Sequence, residues 1–226
     1  MTWLGQNLGL LSELGLAHLG LAAPAILAAA LISVPVGWWA NRSPRLGAPL
    51  LTALSLLYAI PSLPMLVVVP VVVGIALRSG ANMVIVLALY GIAVLVRQVA
   101  DAFASLPAPV LEAADAQGFT PGRRFFEVEL PLAAPTILAG VRVVVVSTVS
   151  LVTVGAFIGV RSLGTLFTDG FQRGLVSEVL TGLVATVGLA LGLDGLVVLA
   201  GRIATPWTRA DPSAPASARP ESEVGA

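Results

Sequence analysis

Hydrophobic residues fall into five long runs separated by short polar stretches. A membrane-spanning helix needs about 20 predominantly apolar residues, and the runs predict spanning helices at residues 19–40, 46–77, 81–103, 135–158 and 179–203. The second run carries no charge and is interrupted by Pro61, Pro64 and Pro70. Proline interrupts helical hydrogen bonding, so we expect one long helix there, kinked or partly broken near Pro61.

Composition makes this an all-α integral membrane protein. The 226 residues are 57% hydrophobic and 11% charged, whereas soluble domains carry about a quarter charged residues. The chain has no cysteine, one histidine and no lysine, which excludes thiol chemistry, a multi-histidine metal site and the lysine-dependent phosphate loop of ATPases. We expect no catalytic site, metal or cofactor, and any ATP hydrolysis would lie on another subunit. The net charge of zero gives no attraction to nucleic acid.

Arginine placement predicts the orientation. The stretches after the first, third and fifth spans hold Arg42, Arg45, Arg123, Arg124, Arg202 and Arg209, with Arg142 nearby, and the opposite side holds Arg78, Arg161 and Arg173. Cytoplasmic loops carry the positive excess, so the N-terminus is expected outside and the C-terminus inside. The first basic residue is Arg42, so the first span lacks the charged start of a cleaved signal peptide. We therefore expect an outer segment at 1–18, a membrane domain at 19–205 and a disordered cytoplasmic tail at 206–226.

The polar loop at about 107–131 is punctuated by proline and glycine. A first short helix is expected to end at Gly118, and Thr120 with Pro121 is expected to start a second one that runs through Glu127. We expect Pro131 to break the chain before the fourth span. The loop's chemistry alone allows two interpretations: a docking surface for a soluble partner, or an interfacial helix without a partner.

The spacing within this loop resembles a known signature. Glu112-Ala113-Ala114, three residues, Gly118, nine residues, Val128, one residue and Leu130-Pro131 are similar to the cytoplasmic motif of permease subunits of binding-protein-dependent ABC importers, with Val128 where isoleucine is usual. The resemblance implies a methionine-permease-like type I importer fold with a cytoplasmic coupling helix that docks on the ATPase. The implied docking residues are Glu112, Ala113, Ala114, Gly118, Leu130 and Pro131.

Further stretches are similar to the osmoprotectant branch, which imports glycine betaine, choline, carnitine or proline betaine: residues 58–63, 95–97, 127–132, 137–142 and 162–164. The resemblance implies a bacterial cytoplasmic-membrane protein with two ABC ATPase subunits, a second permease and an external binding protein, for which loop 161–178 is the candidate contact. The methionine, nitrate and sulfonate branches share the loop, so another small solute stays open. A stand-alone secondary transporter stays open as well, although the chain shows no internal repeat.

Several polar residues lie inside the predicted spans. The candidates for the translocation path are Pro61, Ser62, Ser147 and Ser150. Asp194 is either part of an ion or proton relay or a structural acid paired with an arginine such as Arg202. Gly155 and Gly159 have the spacing of a close helix contact. His18, just before the first span, is expected to be incidental at the outer interface.

Overall fold

The computed structural model describes residues 5–208, and this range contains helices and turns but no strand. The long helices are α1 Leu8–Arg42, α4 Gly80–Ala104, α7 Leu130–Val152 and α9 Val176–Ala204; the shorter ones are α2 Gly47–Ala59, α3 Ser62–Val73, α5 Ala108–Ala116, α6 Pro121–Arg124 and α8 Gly164–Arg173. A π-helical turn, Phe125–Glu129, joins α6 to α7, and 3-10 turns follow α7 at Thr153–Ile158 and α9 at Pro206–Thr208. The all-α class is confirmed. Most of the expected tail, residues 209–226, lies outside the described range.

Four helices are long and apolar enough to cross a membrane, and α2 with α3 forms a fifth, bent pair. The chain direction bends by 112° between α2 and α3. Ile60 and Pro61 at the break are extended, with ψ angles of 130° and 141°. For Ile60 the cause is the following proline, because the residue before a proline avoids the helical region. The predicted break near Pro61 is confirmed, but the expectation of one long helix is wrong, because the chain forms two separate helices there.

Helix α4 is the centre of the bundle, and α1 and α7 pack along it. Leu95, Val96 and Val99 of α4 are fully buried. On α1, a Cβ atom added at Gly37 would lie 2.7 Å from the Val99 Cβ, so this glycine lets the two helices approach closely. Helix α9 is the most exposed of the long helices. Its apolar outer face is therefore left for lipid or another subunit.

The two glycines expected to contact a neighbouring helix behave differently. A Cβ at Gly155 would lie 3.0 Å from the Met83 sulfur, which confirms a close contact there. Gly159 instead ends the 3-10 turn with a φ of 84°, in the left-handed region that glycine enters without strain. For Gly159 the expectation of helix packing is wrong.

The first helix begins at Leu8, earlier than expected, and its 35 residues extend about 52 Å. This extension packs on protein: Leu14 contacts Leu163 and Leu166 at the start of α8. It also buries His18 completely, with Nε2 3.0 Å from the carbonyl oxygen of Val149. The expectations of a start near residue 19 and of an incidental His18 are both wrong, because tertiary packing decides where this helix begins.

The chain does not break at Leu130-Pro131. The π-helical turn carries the backbone from α6 into α7, with the Leu130 N–H donating to the Phe125 carbonyl oxygen. Pro131 follows directly after the π-helical turn, and this change in the backbone hydrogen-bonding pattern accommodates its missing N–H. Residues 121–158 therefore form one continuous helical segment. Motion of the loop is mechanically linked to the spanning part of α7.

Candidate functional site

The polar segment 107–131, called the coupling segment below, is held by its own caps. Gly118 has a φ of 78°, and the Phe119 N–H donates to the Ala114 carbonyl oxygen at 3.2 Å, which closes the end of α5. Thr120 Oγ1 accepts the Arg123 N–H at 3.4 Å at the start of α6. The expected helix stop at Gly118 and the expected N-cap at Thr120 are both confirmed.

The six implied docking residues divide into a surface and its support. Glu112, Ala113 and Gly118 are exposed, with no large side chain among them. The other three are Ala114, which is 5% exposed, and the partly buried Leu130 and Pro131. Small residues around one exposed carboxylate form a low surface on which a partner can sit closely. Docking itself remains a prediction.

Glu129, at the end of the π-helical turn, is a buried carboxylate with three donors. Its side chain is 4% exposed. Oε2 accepts the indole N–H of Trp38 at 2.7 Å, and Oε1 accepts hydrogen bonds from the Arg42 guanidinium and, at 2.7 Å, from Arg124 Nε. A buried charge is tolerated only when it is paired and hydrogen-bonded, and here all three donors converge on one side chain. The loop is thereby fixed to the end of α1.

Arg124 continues this chain of contacts to α5. Its NH1 group donates to both carboxylate oxygens of Asp115, at 2.7 and 2.6 Å, while its Nε binds Glu129. We call Asp115, Arg124, Glu129, Arg42 and Trp38 the Glu129 network. It links the exposed helix α5 to α1 and α7 through charge-assisted hydrogen bonds, which are stronger than neutral ones.

Aromatic contacts reinforce the same junction. The Phe125 ring lies 4.9 Å from the Trp38 ring of α1 and 5.9 Å from the Phe103 ring of α4, measured between centroids. The Arg42 guanidinium lies 4.4 Å from the centroid of the Trp38 ring. Close-packed rings hold few alternative positions. The coupling segment is therefore attached to α1, α4 and α7 together.

Sequence reasoning missed this network. Arg42 and Glu129 are 87 positions apart, and no local pattern pairs them. From the sequence, Arg124 was interpreted only as a positive charge that indicates membrane orientation. The available signal was the acid at Glu129, directly before the first residue of a spanning helix, where an unpaired carboxylate is costly.

The four candidate path residues lie together beside the helix break. Pro61, Ser62, Ser147 and Ser150 line one open cleft of about 360 Å³, with Tyr58 and Tyr90. We call it the break cleft. The Tyr90 hydroxyl donates to the Ile60 carbonyl oxygen, one of the groups that the break frees from helical bonding. Irregular backbone at membrane depth is tolerated only against protein or water, and here Tyr90 supplies the protein contact. A role in transport remains a prediction for all four residues.

Asp194 pairs with Arg142 of α7. The contact is bidentate, with Arg142 Nε 2.7 Å from Oδ1 and NH2 2.8 Å from Oδ2. Arg202, the partner suggested from the sequence, is not the arginine in this pair. The pair borders a second open cleft of about 560 Å³ that shares Ser147 and Ser150 with the break cleft. A fully engaged carboxylate favours the structural interpretation of Asp194 over a relay, because the pair ties α9 to α7.

Removing one partner of this pair is expected to destabilise the fold more than removing both. Arg142→Leu removes the partner of Asp194, whose side chain is only 18% exposed, so the detergent-solubilised protein should melt below wild type. The double variant Arg142→Leu with Asp194→Leu should recover most of the loss, as replaced ion pairs often do. Arg97→Leu is the matched control. Its pair with Asp101 is 3.7 Å long with both side chains more than half exposed, and should contribute little. A double variant no more stable than Arg142→Leu would contradict the assignment.

The opposite end of the molecule carries a larger cleft. It has a volume of about 680 Å³, and Arg161, Asp169 and Phe171 are among its lining residues. These residues belong to the loop expected to meet an external protein, and that contact remains a prediction. Among residues 5–208, no cluster of three or more histidine, aspartate or glutamate side chains could hold a metal ion.

Comparison with known protein families gives a match over most of the chain. The family described as "Binding-protein-dependent transport system inner membrane component" matches residues 25–205. The chain is 32% identical over 209 residues to the choline transport system permease protein OpuBD of Bacillus subtilis, covering 91% of this chain and 90% of that protein. It is 33% identical over 194 residues to the osmoprotectant import permease protein OsmW of Salmonella typhimurium, covering 85% and 90%.

The fold is also similar to a solved structure. A chain of the MetNI methionine ABC transporter, in an inward-facing conformation, superposes with a TM-score of 0.73 and 23% sequence identity, covering 89% of this chain and 98% of that chain. The likeness confirms the predicted type I importer fold. At this identity it concerns the architecture alone.

Proposed function

This chain belongs to the family of binding-protein-dependent transport system inner membrane components, and on that premise we propose that it is the permease subunit of an ATP-driven importer of a quaternary-amine osmoprotectant. The single observation that carries the proposal is the Glu129 network. It joins an exposed, low-relief helix to the spanning helices through buried charge-assisted hydrogen bonds. A helix that only rested at the membrane surface would not need this attachment.

The orientation follows from the same segment. Arg42, Arg123 and Arg124 cluster at the end of the bundle where α5 lies, and cytoplasmic loops carry the positive excess. We therefore place the coupling segment and the C-terminal residues in the cytoplasm and the N-terminus outside. The domain division at residues 18 and 205 remains part of this proposal, with α1 extending the membrane domain outward.

The partners follow from what one chain lacks. Without lysine it has no phosphate-binding loop of the ATPase type, so separate ATPase subunits dock on α5. The break cleft and the cleft beside Asp194 are both open rather than enclosed, and α9 presents an apolar face such as subunit contacts cover. A second permease, identical or paralogous, completes the path. A binding protein delivers the solute at the outer end near α8.

The mechanism is a lever. ATP binding closes the ATPase dimer and moves α5. Arg124 and Glu129 carry that movement to α1, and the continuous segment 121–158 carries it to the part of α7 that lines the clefts. A rigid connection is required, since a flexible one would absorb the displacement. The spans then open the path to the opposite side.

The cargo is the finer part of the proposal. Two curated relatives that share most of their length with this chain are permeases for choline and for osmoprotectants by name. Reconstitution tests this directly: the permease, its ATPase and its binding protein in proteoliposomes should take up choline or glycine betaine only with internal ATP. Uptake of methionine, nitrate or a sulfonate instead would overturn the cargo assignment. Ion-driven uptake without the ATPase would overturn the importer.

A further inference from the structure

The break cleft contains an aromatic pair whose role in the fold is only half explained. The Tyr58 and Tyr90 rings lie 5.8 Å apart between centroids at an angle of 67°. Tyr90 is 5% exposed, and its hydroxyl donates to the Ile60 carbonyl oxygen, so it supports the helix break. Tyr58 has no comparable structural task.

Tyr58 is placed as a side chain that meets something from the cleft. It lies about 16 Å along α2 from Gly47 at 1.5 Å per residue, well inside the charge-free apolar run that follows Arg45. It is 47% exposed, and within residues 5–208 its hydroxyl makes no hydrogen bond. A tyrosine hydroxyl at such depth normally finds a partner. Tyr58 is among the residues that line the cleft, so a solute in the cleft can reach its ring.

The cleft lining has a distinct chemistry. It consists of apolar side chains, two phenol rings and the hydroxyls of Ser62, Ser147 and Ser150, with no carboxylate. The Tyr90 ring is buried, whereas the half-exposed Tyr58 leaves part of its ring uncovered, and uncovered ring faces attract cations. A primary ammonium has three N–H groups that need acceptors, and the lining offers them only uncharged oxygen atoms. A quaternary ammonium has no N–H group, so apolar surface and ring faces satisfy it.

The absence of a carboxylate also suits transit. A site along a transport path must bind strongly enough to admit the solute and weakly enough to release it. A buried ion pair with a carboxylate would hold a cation tightly, whereas a ring face attracts it modestly. The cleft is therefore expected to bind a cation with the modest affinity that suits a site along a transport path.

We propose that Tyr58, whose ring packs against the buried Tyr90, forms a transit site in the break cleft that binds the quaternary ammonium group of the solute by cation–π contact after the binding protein releases it. Ser62 and Ser150, whose hydroxyls make no hydrogen bond within the described residues, face the polar end of the solute. The inference rests on the proposed import of a quaternary amine. It adds selectivity within the permease to that of the binding protein.

The test compares two substitutions of the half-exposed Tyr58 in the reconstituted complex with its ATPase and binding protein. Tyr58→Leu keeps an apolar side chain but removes the ring, and choline uptake should fall about tenfold. Tyr58→Phe keeps the ring and is the matched control, with uptake within about twofold of wild type. Stimulation of ATP hydrolysis by the loaded binding protein should persist in both, because the site acts after delivery. Equal uptake by Tyr58→Leu and wild type would overturn the transit site.

A graded series separates a ring-face contact from a packing role. Phenylalanines with one, two and three ring fluorines at position 58 have similar shape and decreasing attraction for cations. Uptake of choline should fall stepwise with fluorine number. A flat series, or equal losses in Tyr58→Phe and Tyr58→Leu, would show that shape or the hydroxyl matters and would overturn the inference. If the wild-type complex transports neither choline nor glycine betaine, the proposed function fails first, and the inference fails with it.

Discussion

Glu129→Leu is expected to abolish solute uptake while the chain remains in the membrane. The substitution removes the acceptor of three donors, those of Trp38, Arg42 and Arg124. Removing one partner of a buried pair costs about 3–5 kcal/mol, because the remaining charge is left unpaired. The coupling segment would lose its attachment to α1, so ATP hydrolysis would no longer move the spans. Uptake and ATP hydrolysis measured in the same proteoliposomes should show hydrolysis without transport.

The matched control lies two residues away. Glu127 pairs with Arg123 at 2.9 Å, but the two side chains are 50% and 59% exposed, and exposed pairs contribute about 0–1 kcal/mol. Glu127→Leu should therefore keep near-normal uptake. Asp115→Asn is a second variant that tests the coupling role even if Glu129→Leu fails to fold. It weakens the link between α5 and Arg124 at an exposed carboxylate, so it should uncouple transport with little change in melting temperature. Normal transport by both Glu129→Leu and Asp115→Asn would contradict a coupling role for the network.

Glu112→Lys is expected to have the second largest effect, a loss of ATP-driven uptake caused by failed docking. Glu112 is the exposed carboxylate of the low surface on α5, beside the exposed Ala113. Charge reversal places a long cation where the proposed ATPase contact requires an acid, and like charges facing each other across an interface cost several kcal/mol. Co-purification of the ATPase with the permease should be lost, together with uptake.

Two control variants make the Glu112 result specific. Glu112→Gln keeps the shape without the charge and should weaken docking less than the reversal. Asp101→Lys reverses an exposed acid near the end of α4, outside α5, and should leave co-purification intact. Wild-type uptake by Glu112→Lys would refute the docking surface, and equal losses in Asp101→Lys would reduce it to a general charge effect.

The sequence predicted the features that depend on neighbouring residues. The break near Pro61, the helix stop at Gly118 and the cap at Thr120 follow from backbone chemistry that acts within a few positions. The bounds of α4, Gly80–Ala104, came within one residue of the predicted span. The spacing of the motif residues in the loop predicted the fold, because it matches the signature of the permease family.

Features that depend on distant residues were missed. His18 became a buried residue because α1 continues past its apolar run and packs against Val149. Pro131 stayed inside a helix because a π-helical turn preceded it, which a local proline rule does not foresee. Two of the three partners of Glu129, Trp38 and Arg42, come from α1, far away in the chain. Tyr58 and Tyr90 likewise meet only in the folded bundle.

One measurement tests the central claim, that the exposed face of α5 is the cytoplasmic docking surface of the ATPase. A photo-crosslinking p-benzoylphenylalanine is placed at Ala113 of α5 or, for comparison, at Phe171 of α8, which is 85% exposed at the other end of the molecule. Cells expressing the complete transporter are irradiated and the crosslinked partner is identified. The Ala113 position should capture the ATPase subunit and the Phe171 position should not. Capture of the ATPase from Phe171, with none from Ala113, would contradict both the docking surface and the orientation.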